Sequence, residues 1–197
     1  MDAYFQKIKK EIMNDPANRD YTKKGIEPLF TASRKAKIII IGQAPGKKAQ
    51  DAGIIWDDMS GDNLREYLGV SREIFYDDEQ IALIPMDFYF PGKGRNGDLA
   101  PRKEFAKKWH TPIFNELRDD ALVIVVGQYA QKEYLPDNIR YANLTENVEH
   151  YKEFLKFNIF PLPHPSPRNN IWLSKHPWFK KDVVPVLQRE VAKRLSI

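Results

Sequence analysis

The chain has 197 residues, of which 42% are hydrophobic and 12% aromatic, enough apolar material to bury a full core and too much for a disordered chain. It contains no cysteine, which excludes disulfides, thiolate zinc sites and cysteine-ligated iron–sulfur clusters. A formal net charge of +4 admits a polyanionic partner without demanding one.

Tyr4, Phe5, Ile8, Ile12 and Met13 recur at helical spacing and predict an amphipathic helix over residues 2–14. This Lys-rich start has no apolar signal core, so no export signal is expected and the cytoplasm is the expected compartment. Pro16, Gly25 and Pro28 mark a loop-rich approach over 14–35. The run from Lys37 to Ile41 reads as a buried parallel strand. A helix pattern lies around Asn63–Leu68, and Ile81–Ile84 reads as a second strand. A Gly-rich loop over Met86–Pro101 leads to a helix over Arg102–Leu117. Leu122–Val126 reads as a third strand, followed by Gly127-Gln128 and a short helix. Glu146–Leu155 reads as a helix and Phe157–Pro161 as a fourth strand. The chain closes with a helix over Trp178–Leu195, expected to kink at Pro185.

Strands alternating with helices predict a single α/β domain over 1–197, a three-layer α/β/α sandwich around a mainly parallel four-stranded sheet. In such sheets the loops at the carboxyl ends of the strands form the ligand crevice. The segments 42–61, 86–101 and 163–172 would then meet on one edge. No apolar run approaches the roughly 20 residues of a bilayer-spanning helix, so no membrane partner is expected, and the chain is expected to be monomeric.

Two of these loops carry chemistry. Gly42-Gln43-Ala44-Pro45-Gly46 follows a strand, where glycine permits close backbone approach and free N–H groups can bind an oxygen. It lacks the Gly-Lys-Ser/Thr ending of a Walker loop and the glycine spacing of a dinucleotide fingerprint. Gly53, Trp56, Ser60 and Gly61 lie downstream; an aromatic on a Gly-rich loop can stack on a planar base, or can simply fill the core. His164-Pro165-Ser166-Pro167-Arg168-Asn169 follows the last strand, and its prolines form a stiff loop suited to aiming one histidine. His110, His150 and His176 show no metal spacing, and no metal or cofactor is expected.

In order and in register, these loops resemble the uracil-DNA glycosylase superfamily. The thermostable bacterial-type branch opens with Gly-Glu-Ala-Pro-Gly, then a glycine, an aromatic and a glycine; Gly42–Gly46, Gly53, Trp56 and Gly61 fall in that register. His164-Pro165-Ser166-Pro167 is similar to the second motif, and Arg168-Asn169 extends the likeness toward the single-strand-selective monofunctional branch. The resemblance implies a base flipped from DNA into a pocket, stacked on Trp56 and bonded by backbone N–H groups around Gln43, within the Gly42–Gly46 loop. It implies that His164 donates a hydrogen bond to the departing base, and that Ser60, Gly61, Pro165, Ser166, Pro167, Arg168 and Asn169 contact the DNA. The expected reaction is hydrolysis of the N-glycosidic bond of uracil or a related deaminated base; the alternative is a relative that binds nucleic acid or nucleotide without excision.

Several positions depart from the superfamily's patterns. The best-known branch has a water-activating Asp where this chain has Ala44, and a thymine-excluding Tyr where it has Gly46. The four cluster-binding cysteines of the thermostable branch are missing. Many members read the base edge with an Asn after the second strand. Here Asp87 is the positional candidate, as base reader or as water activator, with Asp51, Asp57 and Asp58 in reserve. An ionised Asp accepts hydrogen bonds but cannot donate one to uracil O4. Lys47, Lys48, Lys93, Arg95, Arg102 and Lys103 are candidate phosphate contacts, Phe88, Tyr89 and Phe90 candidate pocket walls, and Trp172 a candidate wedge.

Overall fold

A computed structural model describes residues 2–95 and 97–197; Met1, and Asn96 of the predicted 86–101 loop, lie outside the described residues. Helix α1 spans Ala3–Asn14, with Asp2 as its N-cap accepting from the Tyr4 and Phe5 N–H groups. A short α2, Arg19–Lys23, breaks the expected loop. Strand β1, Ile38–Ile41, is four isoleucines and is buried throughout. Helices α3 (Lys47–Ala52), α4 (Met59–Leu68) and α5 (Arg72–Tyr76) lead to β2, Ile81–Leu83. A hairpin follows, pairing β3 (Lys93–Gly94) with β4 (Gly97–Asp98).

Helix α6 (Lys103–Phe114) then leads to β5, Leu122–Val126. Helix α7 (Gly127–Tyr134) follows directly, and the helix expected over 146–155 is two pieces, α8 (Leu144–Glu149) and α9 (Tyr151–Leu155). Strand β6, Ile159–Leu162, precedes a 3₁₀ turn at Pro167–Asn169 and α10, Asn170–Lys175. The predicted kink at Pro185 takes a definite form. A π-helical turn over Phe179–Val183 runs into α11, Val184–Leu195, so proline sits in the first turn, where its missing N–H costs least.

The four long strands form one parallel sheet in the order β2-β1-β5-β6. Successive side chains on a strand point to opposite faces. Ile39 and Ile41 therefore pack with Phe5, Ile8 and Ile12 of α1 and Ile113 of α6. Ile38 and Ile40 pack on the other face with Leu64 and Leu68 of α4 and Leu187 and Val191 of α11. These are the three layers expected of an α/β/α sandwich. From β1 the chain steps outward to β2, then returns past β1 to β5. The direction of winding reverses between β1 and β5, and a crevice opens at the carboxyl ends of strands there.

Candidate active site

The cleft at this point has a volume of about 480 Å³, the size of a small-ligand site. Gln43, Ala44, Pro45 and Gly46 form one wall, with Trp56, Asp58 and Ser60 beside them. Pro85 and Pro91 come from the segment after β2, Gly97, Asp98 and Leu99 from the hairpin, and His164, Ser166, Arg168 and Asn169 from the loop after β6.

Trp56 is 9% exposed and has a left-handed backbone, φ 60°, a conformation that costs roughly 1–2 kcal/mol in a residue with a side chain. Its neighbours impose it. The Arg65 guanidinium reaches the Trp56 carbonyl at 3.4 Å, and the Tyr76 hydroxyl donates to the Ile55 carbonyl at 3.0 Å. Gly61 lies under the Trp56 backbone, where a Cβ would fall 1.8 Å from the Trp56 carbonyl oxygen. Gly42 lies behind the indole ring itself. Both glycines make room for Trp56, and neither lines the cleft.

His164 faces Trp56, with 5.9 Å between ring centroids and 37° between planes. A base sandwiched between them would need about 7 Å, twice the ~3.5 Å contact distance of carbon atoms. A base stacked on Trp56 would therefore meet the edge of His164, where the ring nitrogens are. The Ser166 N–H donates to His164 Nδ1 at 3.2 Å. An accepting Nδ1 leaves the proton of a neutral imidazole on Nε2, which makes Nε2–H the donor. Burial holds the imidazole below its ordinary range, opposed by the carboxylates of Asp58 and Asp98.

The His164 loop is braced from within and without. Asn169 Nδ2 donates to the His164 carbonyl at 2.6 Å, Asn63 Nδ2 to the Pro165 carbonyl at 2.8 Å, and the Arg168 N–H to Ser166 Oγ at 3.2 Å. Pro165 is buried, and neither it nor Pro167 lines the cleft. These prolines shape the loop, while Ser166, Arg168 and Asn169 present groups to the opening.

Asp87 does not reach the cleft. It is fully buried, and its carboxylate is gripped by Arg102, Nε to Oδ2 at 2.7 Å and Nη2 to Oδ1 at 2.8 Å. The backbone N–H groups of Tyr89 and Arg102 add two further bonds. Both oxygens are thus occupied, and the expected roles of Asp87 as base reader or water activator are corrected to that of a buried ion-pair partner. Arg102 is removed from the phosphate contacts for the same reason; it also donates to Asn18 Oδ1 and the Ala17 carbonyl, tying the N-terminal segment to the loop after β2.

Of the reserve carboxylates, Asp51 pairs with Lys47 and Asp57 with Arg72, while Asp58 lines the cleft. Asp58 caps α4 through Oδ1, accepting from the Gly61 N–H at 3.0 Å, and its Oδ2 lies beside Gly46. Phe88 and Tyr89 belong to the core and Phe90 lies outside the cleft lining. Trp172 donates to Thr145 Oγ1 at 2.9 Å and stacks on His176, which makes it an anchor rather than a wedge. Lys48, Lys93, Arg95 and Lys103 are exposed and do not line the cleft.

Sequence reasoning passed over two features. Gly127 adopts φ 83° at the end of β5, and a Cβ there would touch Gln43 and His164 at 3.6 and 3.7 Å. The repeated strand-Gly-Gln at 41–43 and 126–128 reads in the sequence as a shared strand-to-helix turn, and Gly127 lies at such a turn, between β5 and α7. Asp98 and Leu99 reach the cleft through a hairpin of two-residue strands, too short to show any periodicity.

Among the described residues, no group of His, Asp or Glu side chains could hold a metal ion, and no helix is long and apolar enough to cross a membrane. The parallel sheet carries a cleft at its switch point, with Trp56 and His164 facing one another in it. A family model described as the Uracil DNA glycosylase superfamily matches residues 29–188. The chain belongs to that superfamily and is DNA-glycosylase-like, with DNA as its class of substrate.

Proposed function

We propose that the protein hydrolyses the N-glycosidic bond of uracil or a related deaminated base turned out of DNA. The observation that carries this reading is the facing of Trp56 and His164 across one cleft. The base stacks on Trp56, and its edge meets the Nε2–H of His164 and the backbone N–H groups of Gln43 and Ala44. As the C1′–N bond breaks, its electron pair passes into the base, and the negative charge on the base oxygen is stabilised by the His164 donor. The sugar becomes oxocarbenium-like. Water bonds to C1′ and gives its proton to Asp58, which with Asp98 is one of two carboxylates lining the cleft and the one on the Trp56 side, where Ala44 offers none.

Ala44 also favours a second reading, binding of the flipped base without excision. Single- and double-stranded oligonucleotides carrying uracil, hypoxanthine or xanthine decide between the two. Abasic product is expected from the wild type on at least one base, and a loss of about 10²-fold or more in His164→Ala, the scale of removing one oxyanion donor. Tight binding with no abasic product on any of the three bases would sink the excision reading.

A further inference from the structure

A second hollow lies between α7, the turn at 140–143 and α8, with a volume of about 430 Å³, within the range of small-ligand sites. No residue lines both it and the cleft. Lys132 and Arg140 supply two cations to it, and Gln128, Gln131, Asn143 and Asn147 four carboxamides. No carboxylate is among its lining residues, whereas the cleft includes Asp58 and Asp98 and the hollows beside α3 include Asp51. Two of the carboxamides are buried, Gln131 at 1% and Asn147 at 3% exposure. Gln131 Nε2 donates to the Leu162 carbonyl at 2.9 Å, Asn147 Nδ2 to Gln131 Oε1 at 3.3 Å, and the Tyr141 N–H to Asn147 Oδ1 at 2.8 Å. These bonds fix which end of each carboxamide is nitrogen. A carboxamide nitrogen carries two hydrogens, so one N–H on each is uncommitted among the described residues. Buried donors of this kind are ordinarily matched by an acceptor. At the rim, Arg140 donates to the Lys132 carbonyl and pairs with the exposed Asp137 at 2.6 Å. The exposed Lys132 ammonium has no ion-pair partner among the described residues.

Two cations and two spare buried N–H groups, with no carboxylate to repel a negative charge, call for a ligand that is anionic and accepts hydrogen bonds only. We propose that this hollow binds a phosphate monoester. Its oxygens take the spare N–H groups of Gln131 and Asn147, and Lys132 and Arg140 balance its charge. A monoester carries nearly two charges near neutral pH, against one on a diester, and so matches both cations. The hollow is larger than a bare phosphate, and Tyr141 and Leu144 line the remainder. The same chemistry is offered by the free ion, by a nucleoside monophosphate and by the phosphorylated end of a strand. The site lies outside the cleft and stands whether or not the glycosylase reading holds.

Calorimetry and side-chain amide NMR on the whole protein test this, with inorganic phosphate, deoxyadenosine 5′-monophosphate and dimethyl phosphate as probes. Phosphate and the monophosphate are expected to bind saturably and to shift the carboxamide signals of Gln131 and Asn147. Dimethyl phosphate, a singly charged diester, is expected to bind about tenfold more weakly or less still. Lys132→Ala removes an exposed side chain and is expected to weaken phosphate roughly tenfold or more, the scale of one charged hydrogen bond. Lys132→Arg is expected to restore most of the affinity, and His164→Ala, in the cleft, to leave it unchanged. The source follows from two comparisons. Tighter binding of the monophosphate than of phosphate assigns a nucleotide, and a preference for a 5′-phosphorylated over a 5′-hydroxyl oligonucleotide assigns a strand end. Neither preference assigns the free ion, and all three results uphold the site. No saturation by phosphate or the monophosphate at about 10 mM, beyond the millimolar range of weak binding, overturns it. So does an affinity that survives Lys132→Ala, or is lost in His164→Ala. Equal affinity for dimethyl phosphate overturns the monoester assignment.

Discussion

The indole of Trp56 is pressed against the backbone of Gly42, so closely that a Cβ at Gly42 would lie 2.6 Å from Cζ2. The ring is thereby seated at the end of β1, and its height in the cleft is set by the missing side chain. Replacing Gly42 with Ala forces the ring toward the space proposed for the base. Overpacking of this kind costs about 1–3 kcal/mol. Gly42→Ala is expected to lower the denaturation midpoint modestly and base release by about tenfold or more, since a misplacement of about 1 Å can cost 10²-fold. Denaturant titration and single-turnover excision measure the two effects. An unchanged excision rate would remove Trp56 from the proposed base platform.

Asp58 has two jobs that a single substitution can separate. Its Oδ1 caps α4, and its Oδ2 borders the cleft beside Gly46. Asn is as good an N-cap as Asp, so Asp58→Asn keeps the bond to the Gly61 N–H. It cannot take a proton from water. Base release is expected to fall by about 10²–10⁴-fold, the usual contribution of a general base, while the melting temperature and affinity for uracil-containing DNA stay close to the wild type. A rate within threefold of wild type, judged against the roughly hundredfold minimum expected of a general base, would mean that the water is activated elsewhere.

Asp87 answers to stability. Removing one partner of a buried ion pair leaves an uncompensated charge, a loss of about 3–5 kcal/mol. Arg102 keeps a third of its side chain in reach of water, which places Asp87→Asn toward the lower end of that range. Urea denaturation is expected to show a clear fall in stability, and excision per folded molecule is expected to survive. A stable Asp87→Asn protein with no activity on any base would return Asp87 to the chemistry.

The four strands were legible because isoleucine and valine runs such as Ile38–Ile41 and Leu122–Val126 follow a local rule, the burial of parallel strands on both faces. The order of the strands was not, because pairings such as β1 with β5 join residues some eighty positions apart. The same division holds in the cleft. Gly42–Gly46, Trp56 and the His164 loop announce themselves by type and spacing. Asp87 misled because its partner Arg102 lies 15 residues away, across a loop without periodicity. Of Asp51, Asp57 and Asp58, only side-chain pairing with Lys47 and Arg72 distinguishes the two surface carboxylates from the one in the cleft.

His110 couples the back of the cleft to pH. Its Nε2 lies 2.8 Å from the carbonyl of Pro85, a residue of the cleft lining, and its Nδ1 meets the Tyr134 hydroxyl. A carbonyl only accepts, so Nε2 carries the proton and Tyr134 donates to Nδ1. Burial pushes the imidazole down to about 4, opposed by the Pro85 carbonyl and by Asp87. In the unfolded chain the same group takes up a proton near its ordinary value of 6.5. Between these values the unfolded state binds more protons than the folded state. Stability from the neutral, buried ring is therefore full above about pH 6.5, declines as the pH falls toward 4 and levels off below it. At about 1.4 kcal/mol per pH unit the loss is on the order of 3 kcal/mol. His110→Gln does not titrate in this range. It is expected to be less stable at neutral pH, yet its unfolding free energy should fall less steeply on acidification, by up to about 1.4 kcal/mol per pH unit. Urea titrations at several values between pH 7 and pH 4.5 compare the slopes, and parallel slopes for the two proteins would show that His110 is not the group lost to acid.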